Sequence, residues 1–205
     1  MREILYYSKN ARTSGNFDLT DLMKAGRMDI ACQMTIMAFF VSHHIRPDVK
    51  LHMIFDGAPD PPKHLEMYPG ENIKFGDIGG KIDISKKDVA SLIKKMLYKY
   101  RKGEKTEIAK GYSIEKKSFL DLCNELKEQG KIIYIMDKGG EDIRDIKNED
   151  LENAVFILGD QDGIDAKYAK RLKSIGIRKI SVGKQMYFAS QTLTIIQNEL
   201  DRRGI

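Results

Sequence analysis

Three segments of the chain place glycines and polar residues where strands are predicted to end. They span 136–142, 159–164 and 181–186. Ligands of open α/β sheets bind in the crevice at the carboxyl ends of the strands, so these loops are the predicted ligand site. Their glycines are Gly140, Gly159, Gly163 and Gly183. Glycines let a ligand approach and hydrogen-bond to the backbone, which suits an adenosine cofactor. The alternative is that they only end strands and cap helices.

Other cofactors and metal ions have weaker support in the sequence. The chain contains no Gly-x-x-x-x-Gly-Lys-Ser/Thr and no Gly-x-Gly-x-x-Gly, which disfavours ATP and NAD. Asp160, Asp162 and Asp165 lie close together, but the segment lacks the twelve-residue calcium pattern that ends in glutamate. Cys32 and Cys123 are far apart, with no Cys-x-x-Cys. We therefore expect no metal ion and no disulfide bond.

The elements that would position these loops alternate along the second half of the chain. The hydrophobic pattern predicts helices over 117–129, 166–175 and 189–202, and strands over 132–136, 154–158 and 179–182. In the first half it predicts strands over 4–7 and 51–55, helices over 27–41 and 86–100, and a solvent loop over 101–110. Alternation of this kind predicts a largely parallel sheet covered by helices. We expect one domain over 1–205, with an irregular insertion around 68–85.

Composition and charge are those of a folded protein that could bind a polyanion. Of 205 residues, 41% are hydrophobic, which is enough for a substantial core. Lysine and arginine number 35 against 30 acidic residues, a net charge of +5. This favours RNA or DNA as a partner without requiring it, since a basic surface also serves solubility. No apolar run is long enough to span a bilayer and the first residues do not resemble a signal peptide, so we expect a cytoplasmic protein without membrane contact.

Short motifs that share an order and spacing with one known family run from end to end. They occupy 1–3, 26–29, 42–49, 57–62, 140–143, 156–164, 179–182 and 195–201. Together they resemble the TrmY family of the SPOUT class, whose members methylate N1 of pseudouridine in tRNA. The similarity is weakest over 65–115. No single motif is specific, and the resemblance rests on their order.

The resemblance implies a fold, a cofactor and a site. The fold is a SPOUT-type α/β domain with a mostly parallel sheet, helices on both faces and a carboxyl-terminal trefoil knot, and the protein is a homodimer. The cofactor is S-adenosyl-L-methionine, held bent in the knot. The cofactor-binding residues carried over are Met136, Gly159, Ser181, Val182, Gly183, Lys184, Gln185, Met186 and Thr192. The chain departs from the family at Thr192, where archaeal members often carry a cysteine.

Methylation of N1 requires help with a proton, because N1 of pseudouridine is protonated at neutral pH. A base, or donors that stabilise the developing anionic uracil, is therefore expected. The candidates are Asp56 or Asp60 as the base and Arg27 for the anion. Each aspartate also sits beside a turn, where it could simply bond to its own turn backbone.

Two arginines are candidate contacts to RNA phosphates. Arg27 and Arg46 flank the first long helix, and guanidinium groups bind phosphates with forked geometry. The alternative is that they form ion pairs with Asp29 and Asp48.

The leading hypothesis is a tRNA (pseudouridine-N1)-methyltransferase acting in the T-arm, at position 54. One alternative keeps the reaction but moves the pseudouridine to ribosomal RNA. The other, motivated by Thr192, is a SPOUT-like RNA-binding protein without turnover.

Overall fold

The computed structural model describes residues 1–42, 44–70, 77–78, 81–82 and 84–205. Its strands are β1 (Arg2–Ser8), β2 (Phe40–Val41), β3 (His44–Ile45), β4 (Val49–Phe55), β5 (Lys63–Met67), β6 (Asp77–Ile78), β7 (Lys81–Ile82), β8 (Thr106–Ala109), β9 (Tyr112–Glu115), β10 (Ile132–Asp142), β11 (Ala154–Gly159) and β12 (Arg178–Ser181). Its helices are α1 (Met28–Phe39), α2 (Lys86–Lys99), α3 (Phe119–Glu128), α4 (Asn148–Glu152), α5 (Ala169–Ser174) and α6 (Ala189–Arg203).

One sheet of eight strands organises the described chain, in the order β12-β10-β11-β1-β4-β5-β9-β8. The five strands from β12 to β4 are parallel, and β5, β9 and β8 continue the sheet antiparallel. The prediction of an α/β fold with a mostly parallel sheet is confirmed. Because all five parallel strands point the same way, their carboxyl ends meet at one edge.

Helices cover both faces of the sheet, since successive side chains of a strand point to opposite faces. On β1, Ile4 and Tyr6 are buried against α1, α2 and α6, whereas Leu5 and Tyr7 are buried against α3 and α5. Helix α1 has apolar residues around most of its circumference because it contacts β1, β4, α2 and α6. None of the described helices is long and apolar enough to cross a membrane.

The prediction of a solvent loop over 101–110 is wrong at its second half. Residues Thr106–Ala109 form β8, which pairs with β9 at the edge of the sheet. Its residues alternate between half-buried and exposed positions. Because none of the four is fully buried, the segment has too few apolar residues for the hydrophobic pattern to indicate a strand. The pairing with β9 is what makes it one. Strands β5 and β9 were also not predicted.

The predicted insertion around 68–85 lies mostly outside the described residues. Within it, β6 and β7 pair antiparallel as two two-residue strands. Helix α2 begins directly after it, where Ser85 and Asp88 form a capping box by accepting each other's backbone N–H groups.

Candidate functional site

A cavity of about 160 Å³ lies where β10, β11 and β12 end and α6 begins. Residues from all three predicted loops line it, together with the first turns of α6. The lining residues are Met136, Asp137, Lys138, Leu158, Gly159, Asp160, Gly163, Ser181, Val182, Gly183, Gln185, Met186, Tyr187, Ala189 and Thr192. The loops predicted from spacing therefore meet around one cavity, as their position at one edge of a parallel sheet requires.

Eight of the nine predicted cofactor-binding residues line this cavity. They are Met136, Gly159, Ser181, Val182, Gly183, Gln185, Met186 and Thr192. Lys184 belongs to the same loop but is exposed and is not part of the lining. Tyr187 and Ala189 line the cavity and were not predicted, although they continue the third loop directly into α6. Their roles, like those of the predicted residues, stay predictions.

Strand β10 makes a detour beside the cavity. Met136 and Glu141 both pair with Ile180 of β12, so residues 137–140 bulge out between two positions that share one partner. A Cβ on Gly140 would lie 2.5 Å from the backbone nitrogen of Ile180. Only glycine lets the two strands approach this closely. Asp137 and Lys138, on the bulge, form part of the cavity wall.

The second loop is held by the carboxylate of Asp160, which is 8% exposed. Its Oδ2 accepts hydrogen bonds from Ser8 Oγ at 2.7 Å and from the backbone nitrogen of Lys9 at 3.0 Å. Its Oδ1 accepts from the backbone nitrogen of Asp162 at 2.9 Å. The backbone nitrogen of Asp160 donates to the carbonyl of Tyr7. This residue therefore anchors the loop to the end of β1.

The third loop turns at Gly183, whose φ is 121°. L-residues with a side chain rarely adopt this conformation, so glycine is needed there for the backbone path itself. The loop continues through Met186, Tyr187 and Phe188, which are 77%, 42% and 79% exposed. Large apolar side chains in a row beside a cavity are unusual on a free surface.

Asp56 directly follows β4 at the same edge of the sheet, and its carboxylate is hydrogen-bonded to two tyrosines. Its Oδ2 accepts hydrogen bonds from Tyr7 Oη at 3.0 Å and Tyr168 Oη at 3.1 Å, and Lys167 Nζ lies 3.9 Å away. Burial raises the pKa of both tyrosines, and the charge of Asp56 raises it further. Both hydroxyls therefore keep their protons and act as donors. The backbone carbonyl of Tyr7 also accepts a hydrogen bond from the backbone nitrogen of Asp160. Tyr7 therefore links Asp56 to the loop that Asp160 anchors.

Asp60 is held by two lysines. Lys63 Nζ lies 2.7 Å from its Oδ2, and Lys116 donates to its Oδ1. The hydrogen bonds from Lys116 and Lys63 lower the pKa of Asp60 to about 2. A carboxylate so stabilised is a poor proton acceptor at neutral pH, so these contacts argue against Asp60 as the base.

The two candidate arginines lie in different parts of the molecule. Arg27, at the start of α1, donates two hydrogen bonds of 3.0 Å to Asp29, and its charge interacts with Asp160. Arg46 precedes β4 and therefore lies at the opposite edge of the sheet from the cavity. It donates to Asp201 of α6 at 2.7 and 2.6 Å, so its ion-pair partner is Asp201 and not the expected Asp48.

Comparison with known proteins decides the family. A family model described as "Putative SAM-dependent RNA methyltransferase" matches residues 1–205. The chain belongs to this family. A relative from Methanococcus aeolicus named tRNA (pseudouridine(54)-N(1))-methyltransferase is 35% identical over 207 residues, 98% of each chain. Its namesake from Methanocaldococcus jannaschii is 32% identical over 212 residues, 100% of this chain and 98% of the relative.

A solved structure shares the fold of this RNA methyltransferase. It is Archaeoglobus fulgidus Nep1 bound to S-adenosylhomocysteine, with a TM-score of 0.61 over 100% of this chain and 99% of that chain. At 11% sequence identity the similarity concerns the fold alone. Family membership makes S-adenosylmethionine the cofactor of this chain.

Proposed function

We propose that this protein transfers a methyl group from S-adenosylmethionine to N1 of pseudouridine at position 54 of tRNA, in the cytoplasm. The observation that carries the proposal is the full-length similarity to relatives named for that reaction, at 35% and 32% identity. The three loops that meet around one cavity support a cofactor site in this chain independently of those names.

The cavity suits an adenosine cofactor because much of its wall is exposed backbone. Backbone from three loops forms much of it, and a Cβ on Gly163 or Gly183 would meet no atom within 4 Å, so the backbone there is open to a ligand. The bound cofactor supplies an electrophilic methyl group. We assign its binding to Met136, Gly159, the segment 181–186 and Thr192. Thr192 is buried, and its backbone nitrogen donates to the carbonyl of Phe188 in the first turn of α6.

For the proton on N1, we assign the acceptor role to Asp56. Its two tyrosine donors fix the orientation of the carboxylate. We assign Arg27 to the developing negative charge of the uracil, because it is a cation that is about one third exposed at the start of α1. Positioning of the nucleophile in line with the methyl group supplies much of the remaining acceleration.

We also propose that the fold is of the SPOUT type with a knotted carboxyl-terminal segment, that it forms one domain over 1–205, and that two copies form a homodimer. The shared fold with Nep1 supports the first point. The cavity, at about 160 Å³, is smaller than the ~300 Å³ at which small-molecule sites begin. The exposed Met186, Tyr187 and Phe188 beside it are suited to a partner that completes the wall. Light scattering after size-exclusion chromatography tests the dimer.

The decisive experiment is methyl transfer to matched RNA stem-loops. We expect transfer to a tRNA T-arm with pseudouridine at position 54 and none to the same RNA with uridine, whose N1 is the glycosidic nitrogen. Equal transfer to both would refute the N1 assignment. Transfer to ribosomal RNA and not to tRNA would favour the second hypothesis, and RNA binding with no turnover would favour the third.

The base assignment has its own matched pair of variants. Asp56→Asn should lower kcat at least ~100-fold, the contribution typical of a general base, with little change in cofactor affinity. Asp60→Asn makes the same chemical change in the same connection between β4 and β5, and it should retain kcat within a few-fold. If Asp60→Asn loses the activity and Asp56→Asn keeps it, the assignment is reversed.

A further inference from the structure

Two buried histidines face each other in the antiparallel half of the sheet. His52 on β4 and His64 on β5 are 2% and 1% exposed, and His52 Nδ1 lies 3.0 Å from His64 Nε2. Glu66, opposite His52 in the β4–β5 pairing, has its Oε2 3.8 Å from the same Nδ1. One nitrogen from each ring and one oxygen of Glu66 lie within 4.8 Å of one another. The cofactor cavity lies on β10, β11 and β12, beyond β1.

Each imidazole has a carboxylate behind its other nitrogen. His64 Nδ1 lies 3.0 Å from Glu115 Oε1, and His52 Nε2 lies 3.6 Å from Glu3 Oε2. Histidines that bind metal ions almost always direct their second nitrogen at such a group, which fixes the tautomer and makes the ligand nitrogen more basic. His64 has this arrangement through a hydrogen bond, whereas His52 Nε2 faces Glu3 without a hydrogen-bond partner among the described residues. The remaining nitrogens, His52 Nδ1 and His64 Nε2, face each other.

We propose that His52 Nδ1, His64 Nε2 and a carboxylate oxygen of Glu66 bind a divalent transition-metal ion of the zinc type, with water as the fourth ligand. Two imidazoles and a carboxylate are a zinc donor set, and three protein ligands leave a position open. Ligand atoms on tetrahedral zinc are about 3.4 Å apart, given bonds of about 2.0–2.1 Å. The nitrogens must separate by a few tenths of an ångström, and the Glu66 oxygen must approach them by up to about 1.4 Å.

Glu66 has the freedom to make that approach. Its side chain is 25% exposed, and Lys105 Nζ holds its Oε1 at 3.0 Å. It forms one wall of a second cavity, of about 270 Å³, so the carboxylate lies between this cavity and the histidines. Ser113 lines the same cavity opposite Glu66 in the β5–β9 pairing. Its Oγ is buried and has no hydrogen-bond partner among the described residues, so it is available to a metal-bound water.

Without a metal ion, the short distance between the rings needs a proton. His64 Nδ1 donates to Glu115, so in the neutral ring Nε2 accepts, and His52 Nδ1–H must donate to it. A metal ion takes the place of that proton. The displaced proton moves to His52 Nε2, which faces Glu3, so both imidazoles bind the ion as neutral ligands. The expectation of no metal rested on ligand spacing along the chain, whereas these ligands come from neighbouring strands.

The test is zinc and cobalt titration of the full-length protein after removal of metal ions with a chelator. We expect one zinc ion per chain by elemental analysis and a visible absorption band of low-coordinate cobalt. Zinc should also raise the thermal midpoint of the protein, because it binds the folded state.

Four variants localise the site. Glu66→Gln and His64→Gln should each weaken zinc affinity at least ~10-fold, the loss seen even for outer residues of such sites. Glu107→Gln removes a carboxylate from the same cavity and His44→Gln removes an exposed histidine, and both should bind as the wild type does. Glu66 is partly exposed, so its variant stays informative if His64→Gln fails to fold. No zinc uptake by the wild type, or equal uptake by Glu66→Gln, would overturn the proposal. The two histidines would then form only a hydrogen bond with each other.

Discussion

Replacing Asp160 by asparagine should loosen the loop that forms the middle of the cofactor cavity. The carboxylate accepts three hydrogen bonds, two on Oδ2 from Ser8 and Lys9 and one on Oδ1 from Asp162. An asparagine has one acceptor oxygen. Whichever way the amide is turned, its NH₂ group faces a backbone N–H, because Lys9 and Asp162 each donate to a different oxygen.

The expected cost follows from those contacts. Asp160 is 8% exposed, so the backbone N–H that loses its acceptor is not readily satisfied by water. Leaving one such donor unsatisfied costs about 1–3 kcal/mol. We therefore expect the free energy of unfolding to fall by about 2 kcal/mol. If the same energy is needed to hold the loop in its binding conformation, cofactor affinity falls up to ~30-fold.

The assay is urea unfolding at pH 7 followed by circular dichroism, with calorimetric titration of S-adenosylhomocysteine beside it. Asp162→Asn is the matched control, because it makes the same change on the same loop at an exposed position and should cost less than ~0.5 kcal/mol. The reasoning is refuted if the two variants unfold within about 0.5 kcal/mol of each other.

Two further substitutions test other parts of the framework. Asp201→Asn should destabilise the protein by about 1–2 kcal/mol, because Arg2 and Arg46 are mostly buried and lose a carboxylate partner. Hydrogen bonds from Arg46 help to lower the pKa of Asp201 from 3.8 to about 2, so its contribution is complete above the unfolded value and is lost as pH falls from about 4 to 2. Urea unfolding should therefore show a smaller difference from wild type at pH 3 than at pH 7; an equal difference would contradict this. Gly140→Ala should cost at least ~1–3 kcal/mol and weaken S-adenosylhomocysteine binding, since its Cβ would lie 2.5 Å from Ile180; unchanged binding by calorimetry would count against the close approach.

The parallel part of the sheet was predictable from local pattern. Strands buried on both faces appear as continuous apolar runs, and helices over a sheet show a period near 3.6, so β1, β4, β10, β11 and β12 could be recognised with most of the helices. Since ligand sites of such sheets lie at the carboxyl ends of the strands, the three loops followed too. The S-adenosylmethionine assignment came from family resemblance and not from pattern.

The antiparallel part was not predictable in this way. Strands β5, β8 and β9 are only four or five residues long and mix polar with apolar residues, which gives too little pattern to distinguish them from a loop. They become strands because each has a neighbour with unpaired backbone groups, and that neighbour is chosen by the fold as a whole.

The amino-acid sequence by itself determined which segments are apolar enough to form the core and where the glycines allow close approach. Only the tertiary structure decided which polar side chains meet. Arg46 bonds to Asp201, and His52 lies against His64, because strand register and helix packing bring distant residues within bonding distance. Such pairs leave no periodic signal, since the energy of each contact depends on a partner that the local sequence does not contain.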